Sequence, residues 1–102
     1  MNFQVLSVAD GEAIAAALWY EDRQAGLGDA FLAQLRQAFE VIRTRPLSLP
    51  RLEYYSGPHD IRRIVMQRFP YVVIFRYRDK EVLVVAVAHS RRRPLYWLTR
   101  LS

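Results

Sequence analysis

The residues best suited to chemistry lie together near the C-terminal end: His89, then Ser90, then Arg91, Arg92, Arg93 and Pro94, with Tyr96 and Trp97 just beyond. An imidazole exchanges protons near neutral pH and suits general acid–base work. Set against that, a histidine is more often an exposed or hydrogen-bonded side chain, and no carboxylate is visible near His89 to orient it. Arg62, Arg63, Arg68 and Arg76 lie in the stretches just before. Guanidinium groups clustered on one surface bind phosphates or carboxylates through paired hydrogen bonds. Each arginine taken singly can equally be rim charge whose stem covers apolar surface. Tyr96 and Trp97 can stack on an unpaired base or return to the core as an anchor, the second being the expectation for Trp97.

Other chemistries are absent by residue type. No Gly-x-Gly-x-x-Gly follows a strand, and neither a phosphate-binding Gly-Lys-Ser/Thr loop nor a Gly-x-Ser-x-Gly elbow is present. With two histidines, no cysteine and no His-x-x-x-His spacing, neither a metal site nor a cofactor is expected. The absence of cysteine fits a reducing cytoplasm, the expected location. Uninterrupted apolar runs such as Val82 to Ala88 are far short of the roughly 20 residues of a membrane helix, so no membrane partner is expected.

Charge is unevenly distributed. The net +5 combines −4 over residues 1–40 with +9 over residues 41–102, the latter carried almost wholly by arginine. Such asymmetry points to a polyanion or an acidic protein partner.

The elements that must position these groups follow from periodicity. Phe3 to Val8 reads as a strand, with Asp10 as the N-cap of a helix and Glu12 in its first turn, where the dipole favours an anion. Ile14, Ala17, Leu18, Glu21 and Ala25 recur at helical spacing as a weak stripe. Gly26 suits the left-handed end of that helix, and Gly28 with Asp29 opens the next. The second helix carries a clear stripe of Leu27, Phe31, Leu35, Ala38 and Ile42, widened by Leu32 and Phe39, and stops at Pro46. Leu47 to Asp60 reads as a loop, tacked down by Tyr54 and Tyr55.

Three strands follow, at Ile61 to Met66, Tyr71 to Tyr77 and Glu81 to Ala88, the last two joined by a turn at 78–80. The last strand is apolar on both faces, so it is placed centrally, with helices on one face and another segment on the other. The first strand then pairs on its far side. The expected fold is α+β, in the order β-α-α-β-β-β: a helical hairpin on one face of a four-stranded, mostly antiparallel sheet, in a single domain over residues 1–102. One of Arg62 and Arg63 is expected to share with Arg76 the face not covered by helices, beside Arg91 to Arg93.

The stretches "WYEDRQAGLGDAFL" at 19–32 and "IRRIVMQRFPYVVIFRYRDKEVLVVAVAHSRRRPLYW" at 61–97, with this element order between them, resemble the RelE/ParE superfamily of bacterial type II toxin–antitoxin toxins. Nearly the whole chain is covered, and the closer likeness is to ParE-like members. The resemblance implies a growth-inhibiting, plasmid-stabilising type of toxin. It also implies a cognate antitoxin that wraps it in a hetero-oligomer, with Arg62, Arg63, Arg68, Arg76 and Arg91 to Arg93 as a surface for antitoxin or target.

Two mechanisms are implied by different branches. ParE-like members inhibit DNA gyrase; RelE-like members cleave mRNA on the ribosome. In the second case Arg62 or Arg63, Arg76 and Arg92 would stabilise the phosphate while His89 or Tyr96 moved protons. The chain departs from the RelE pattern in having one lysine, Lys80, in a turn, and no acidic base beside His89. Gyrase is therefore the expected target. Ribosome-bound mRNA, or a non-catalytic family member that only binds its partner, is the alternative.

Overall fold

A computed structural model describes residues 2–101. Strand β1 (Asn2–Val5) leads into helix α1 (Ser7–Arg23) and helix α2 (Leu27–Thr44), and strands β2 (Asp60–Val65), β3 (Tyr71–Arg78) and β4 (Glu81–His89) follow. Short 3-10 turns occupy Pro46–Ser48 and Leu98–Leu101. The sheet order is β1-β4-β3-β2, with β1 parallel to β4 and the other neighbours antiparallel. The central place of β4 and the far-side pairing of β1 match the sequence reading.

The first strand is shorter than the sequence suggests. Leu6 N–H donates to Val84 O as the last sheet bond, and Leu6 O already accepts the amide of Asp10. The chain therefore turns helical at Ser7, and Asp10 lies in the first turn instead of capping it. The stripe expected on α1 is also corrected. Its buried side is Ala9, Ala13, Ala16 and Ala17, whereas Ile14 and Leu18 are exposed. Alanines on the inner face let the helix lie close to its neighbours, which larger side chains would hold away.

Helix α2 buries Phe31, Leu35, Ala38 and Ile42 as its pattern requires. Its start is built by the preceding helix. Gly26 has φ +89°, a left-handed geometry that favours glycine, and it serves as the N-cap of α2 instead of the terminus of α1. Lacking a side chain to cap the helix, Gly26 is served by the Glu21 carboxylate, which accepts the Gly26 amide at 2.9 Å and the Gly28 amide at 3.0 Å.

The helices cross closely at Gly28, where a Cβ would stand 2.6 Å from the carbonyl oxygen of Ala17. Backbone cannot yield there as a flexible side chain would. Gly28→Ala is expected to cost about 2 kcal/mol through overpacking, read as a lower urea midpoint at unchanged slope. An unchanged midpoint would show that the helices separate freely.

The sheet has a core on each face. On one face Phe31, Leu35 and the α1 alanines meet Val73, Phe75, Val82, Val84 and Val87; on the other, Leu52 and Trp97 meet Ile61, Ile74, Val85 and Ala86. A bulge explains how β4 serves both. Ile74 opposes Ala86 and Phe75 opposes Val84, so Val85 is the extra residue. Val85 and Ala86 then share a face, and Val87 and His89 return to the helix side.

The β3–β4 turn is tight, with Asp79 and Lys80 both at positive φ, the backbone of a two-residue hairpin turn matched to strand twist. The segment after α2 is not featureless. Arg51 bridges Arg62, Leu52 N–H donates to Ile61 O, and Arg63 N–H donates to Pro50 O, so it covers part of the β2 edge. Tyr55 packs with the second core, whereas Tyr54 is exposed.

Candidate functional site

Arg63 and Arg76 share a sheet face as expected, but Arg91, Arg92 and Arg93 do not join them, and the register shows why. Arg76 pairs with Leu83, near the start of β4, whereas His89 ends that strand. Six residues at about 3.3 Å each place these positions roughly 20 Å apart. Arg63 opposes Ile74 and so shares the sheet face of Arg76; Arg62 opposes Phe75 and faces the helix side. The basic residues thus form two groups: Arg63 and Arg76 on the sheet, and Arg91, Arg92 and Arg93 at the end of β4. Arg68 lies in the β2–β3 connection, with its guanidinium 5.6 Å from the Phe69 ring.

Arg62, outside both groups, is committed to structure. It donates to Leu49 O at 2.7 Å and Leu47 O at 3.4 Å, and pairs with Asp60 at 3.0 Å, tying the 46–60 segment to β2. Arg76 is different, because its Nε is buried and has no hydrogen-bond partner. Desolvation lowers its pKa below the usual arginine range, and Arg78 adds to the effect.

At the far end of the sheet, β4, α1 and the C-terminal segment enclose a groove of about 650 Å³, lined among others by Glu12, Trp19, Tyr20, Tyr71, His89 and Arg92. Its walls are mainly apolar, with His89 and Arg92 among them. His89 stands edge-on to Tyr71, with ring centres 5.2 Å apart. Its Nδ1 accepts the Arg91 amide at 3.0 Å, so a neutral ring carries its proton on Nε2. Arg92 lies over the Tyr96 ring at 3.9 Å and is half exposed; Arg91 and Arg93 are exposed.

Beneath this end lies a carboxylate that sequence reading placed only as a helix-dipole partner. Glu12 accepts hydrogen bonds from the Val87 amide at 3.0 Å, the Tyr96 hydroxyl at 2.6 Å and both terminal nitrogens of Arg100 at 3.0 Å. Arg100 also donates to Val85 O at 2.9 Å. Beyond Val84, where β1 has turned away, these two side chains bond the backbone of β4 in place of a strand.

Burial raises the pKa of Glu12, but the bonds from Arg100, Tyr96 and Val87 prevail and hold it below the usual carboxylate value. Burial, reinforced by Glu12, pushes Tyr96 far above the ordinary phenol range. The Glu12 hydrogen bond raises Arg100 in turn.

The C-terminal anchor forms as expected for Trp97, which is 1% exposed. Leu95 at φ +62° reverses the chain after Pro94 so that Tyr96 reaches Glu12 and Trp97 enters the second core. The importance of Glu12 and Arg100 was not visible in the sequence, because 88 positions separate them. One signal existed: on a helix that buries Ala9 and Ala16, Glu12 falls at the margin of the buried side.

The model of a family described as "ParE toxin of type II toxin-antitoxin system, parDE" matches residues 5–94. That range includes His89 and the following arginines but stops before Tyr96, Trp97 and Arg100. A solved structure of a chromosomal ParDE toxin–antitoxin system from P. aeruginosa is similar at TM-score 0.71 and 15% identity, covering 87% of this chain and 95% of that one. No curated protein shows a significant match. Among the described residues no cluster of histidine or acidic side chains is placed to hold a metal, and no helix is long and apolar enough to cross a membrane.

Proposed function

Because the chain belongs to the ParE toxin family of type II toxin–antitoxin systems, we propose that it arrests growth by inhibiting DNA gyrase and that a cognate antitoxin neutralises it. The family match over residues 5–94 carries this reading. The condition of the side chains that would be needed for RNA cleavage supports it. A nuclease requires a base and an acid beside the reacting phosphate. The Tyr96 hydroxyl donates a hydrogen bond to Glu12, and burial holds it far from ionising. Glu12 is itself occupied by Val87, Tyr96 and Arg100. His89 is left without a partner acid among the candidates, and Arg76 lies at the other end of β4. Gyrase inhibition needs a binding surface and no such pair.

Induced expression of the chain is expected to arrest growth, and co-expression of the antitoxin to restore it. Purified toxin is expected to block gyrase supercoiling and to leave ribosome-bound mRNA whole. Intact supercoiling together with cut mRNA would transfer the protein to the RNA-cleaving mechanism.

The antitoxin is taken to reach the groove with an acidic segment beside Arg92, where Arg91, Arg92 and Arg93 are exposed. Reversing all three to glutamate is expected to weaken antitoxin binding about 30-fold at low salt, from roughly 2 kcal/mol of exposed charge pairing. The loss should shrink as salt is raised. Binding that is unchanged in a salt titration would place the antitoxin elsewhere.

A further inference from the structure

Helix α1 is apolar on the side turned to solvent as well as on the side it buries. Val8, Ile14, Leu18 and Trp19 are 45%, 52%, 66% and 52% exposed, opposite the buried alanines. A helix apolar all round is ordinarily covered on both sides. Along the outer side Val8, Gly11, Ala15, Leu18 and Asp22 recur in alternating steps of three and four, the spacing of a helix–helix seam. No close packing within the chain calls for a glycine at position 11. A Cβ there would meet nothing within 4 Å, and glycine weakens a helix interior.

We propose that this face pairs with the same face of a second copy of the chain, the two α1 helices lying antiparallel about a two-fold axis. Read against its own reverse, the part of the row from Val8 to Leu18 sets Gly11 against the partner's Ala15 and Val8 against the partner's Leu18, each contact occurring twice by symmetry. Small residues in the middle let the axes approach, and larger ones fill the ends. Ile14 and Trp19 flank the seam.

Charge selects the same arrangement. The Asp22 side chain is 86% exposed, with the exposed Arg23 guanidinium 3.7 Å away, and lies near the C-terminal end of its own helix, where the dipole disfavours an anion. Antiparallel pairing brings it to the start of the partner's α1, whose first amides receive no side-chain cap. Parallel pairing would set the two Asp22 carboxylates side by side. A seam of two 17-residue helices, each about 25 Å long, offers less than the ~1,200 Å² of a stable interface. The pair therefore forms in concentrated protein and separates on dilution. Trp19 belongs both to this face and to the groove wall, so dimerisation competes with whatever enters the groove.

Sedimentation velocity of the purified chain, from low to high micromolar concentration, tests the proposal. Wild-type weight-average mass should climb from 12.0 kDa toward twice that value. Leu18→Asp and Gly11→Leu should stay at the monomer mass throughout, while Arg36→Ser, on the exposed side of α2, associates as wild type does. Gly11→Leu should melt no lower than wild type, since its new side chain enters open space, so loss of association cannot be ascribed to unfolding. A wild-type chain monomeric at every concentration overturns the proposal, as does association that survives both substitutions. If the wild type stays monomeric while Leu18→Asp loses antitoxin binding, the face belongs to the antitoxin instead.

Discussion

Replacing Glu12 by alanine is expected to destabilise the fold by about 3 kcal/mol and lower Tm by about 15 °C. The side chain is 16% exposed and accepts from the Val87 amide, the Tyr96 hydroxyl and Arg100. Its removal leaves the Arg100 guanidinium, also 16% exposed, without its counter-charge, and the Val87 amide without its acceptor. An unpaired buried charge costs more than the pair contributed. Glu12→Gln keeps the volume and one acceptor oxygen, and should lose about half as much.

The same carboxylate makes stability depend on acid, and the direction follows from its lowered pKa. Burial raises it, the three hydrogen-bonding partners outweigh burial, and the folded chain holds the anion at pH values where the unfolded chain is protonated. The unfolded state then binds more protons, so stability rises with pH through that window. Its contribution is complete above the ordinary value of 4.5 and disappears as pH falls through the lower folded value. Urea melts of wild type and Glu12→Gln should differ at neutral pH and converge in acid. Profiles that stay parallel would mean that another group governs acid sensitivity.

Trp97→Ala is expected to cost about 4 kcal/mol, the scale of emptying a large aromatic from a core. Trp97 is 1% exposed among Leu52, Ile61, Ile74, Val85 and Ala86, with the Tyr55 ring 6.0 Å away. Without it the second face of the sheet loses the side chain at the centre of its cover. The urea midpoint reports the cost. Combining Trp97→Ala with Glu12→Ala should cost less than the sum, because each change releases the same C-terminal segment from β4. Strict additivity would show that Tyr96 to Arg100 is held at two independent points.

Much of the fold was legible where periodicity and punctuation agree. The α2 stripe, Gly26 in a left-handed turn, the Asp79–Lys80 turn and the doubly apolar β4 each carry their structural meaning locally. Helix α1 was misread because alanine gives a weak pattern signal. Ile14 and Leu18 are larger and define a stripe, but it is the outer one. The site was less legible for a different reason. Alternation correctly separated Arg62 from Arg63, but only the register shows that Arg76 and His89 stand at opposite ends of β4. The Glu12–Arg100 pair joins residues 88 apart, and no local rule relates such positions.

The parallel pairing of β1 with β4 also sets a schedule for folding. Val5 meets Val84, and Asn2 meets Glu81, so the first strand closes a loop spanning most of the chain. Contacts of such separation form late, after local hairpins and helices have already brought the ends near. The β3–β4 hairpin can form early, but until β1, Glu12 and Arg100 arrive, the outer edge of β4 presents unpaired backbone to any neighbouring chain. Refolding yield should therefore fall with protein concentration, and slowing the arrival of β1 should lower it further.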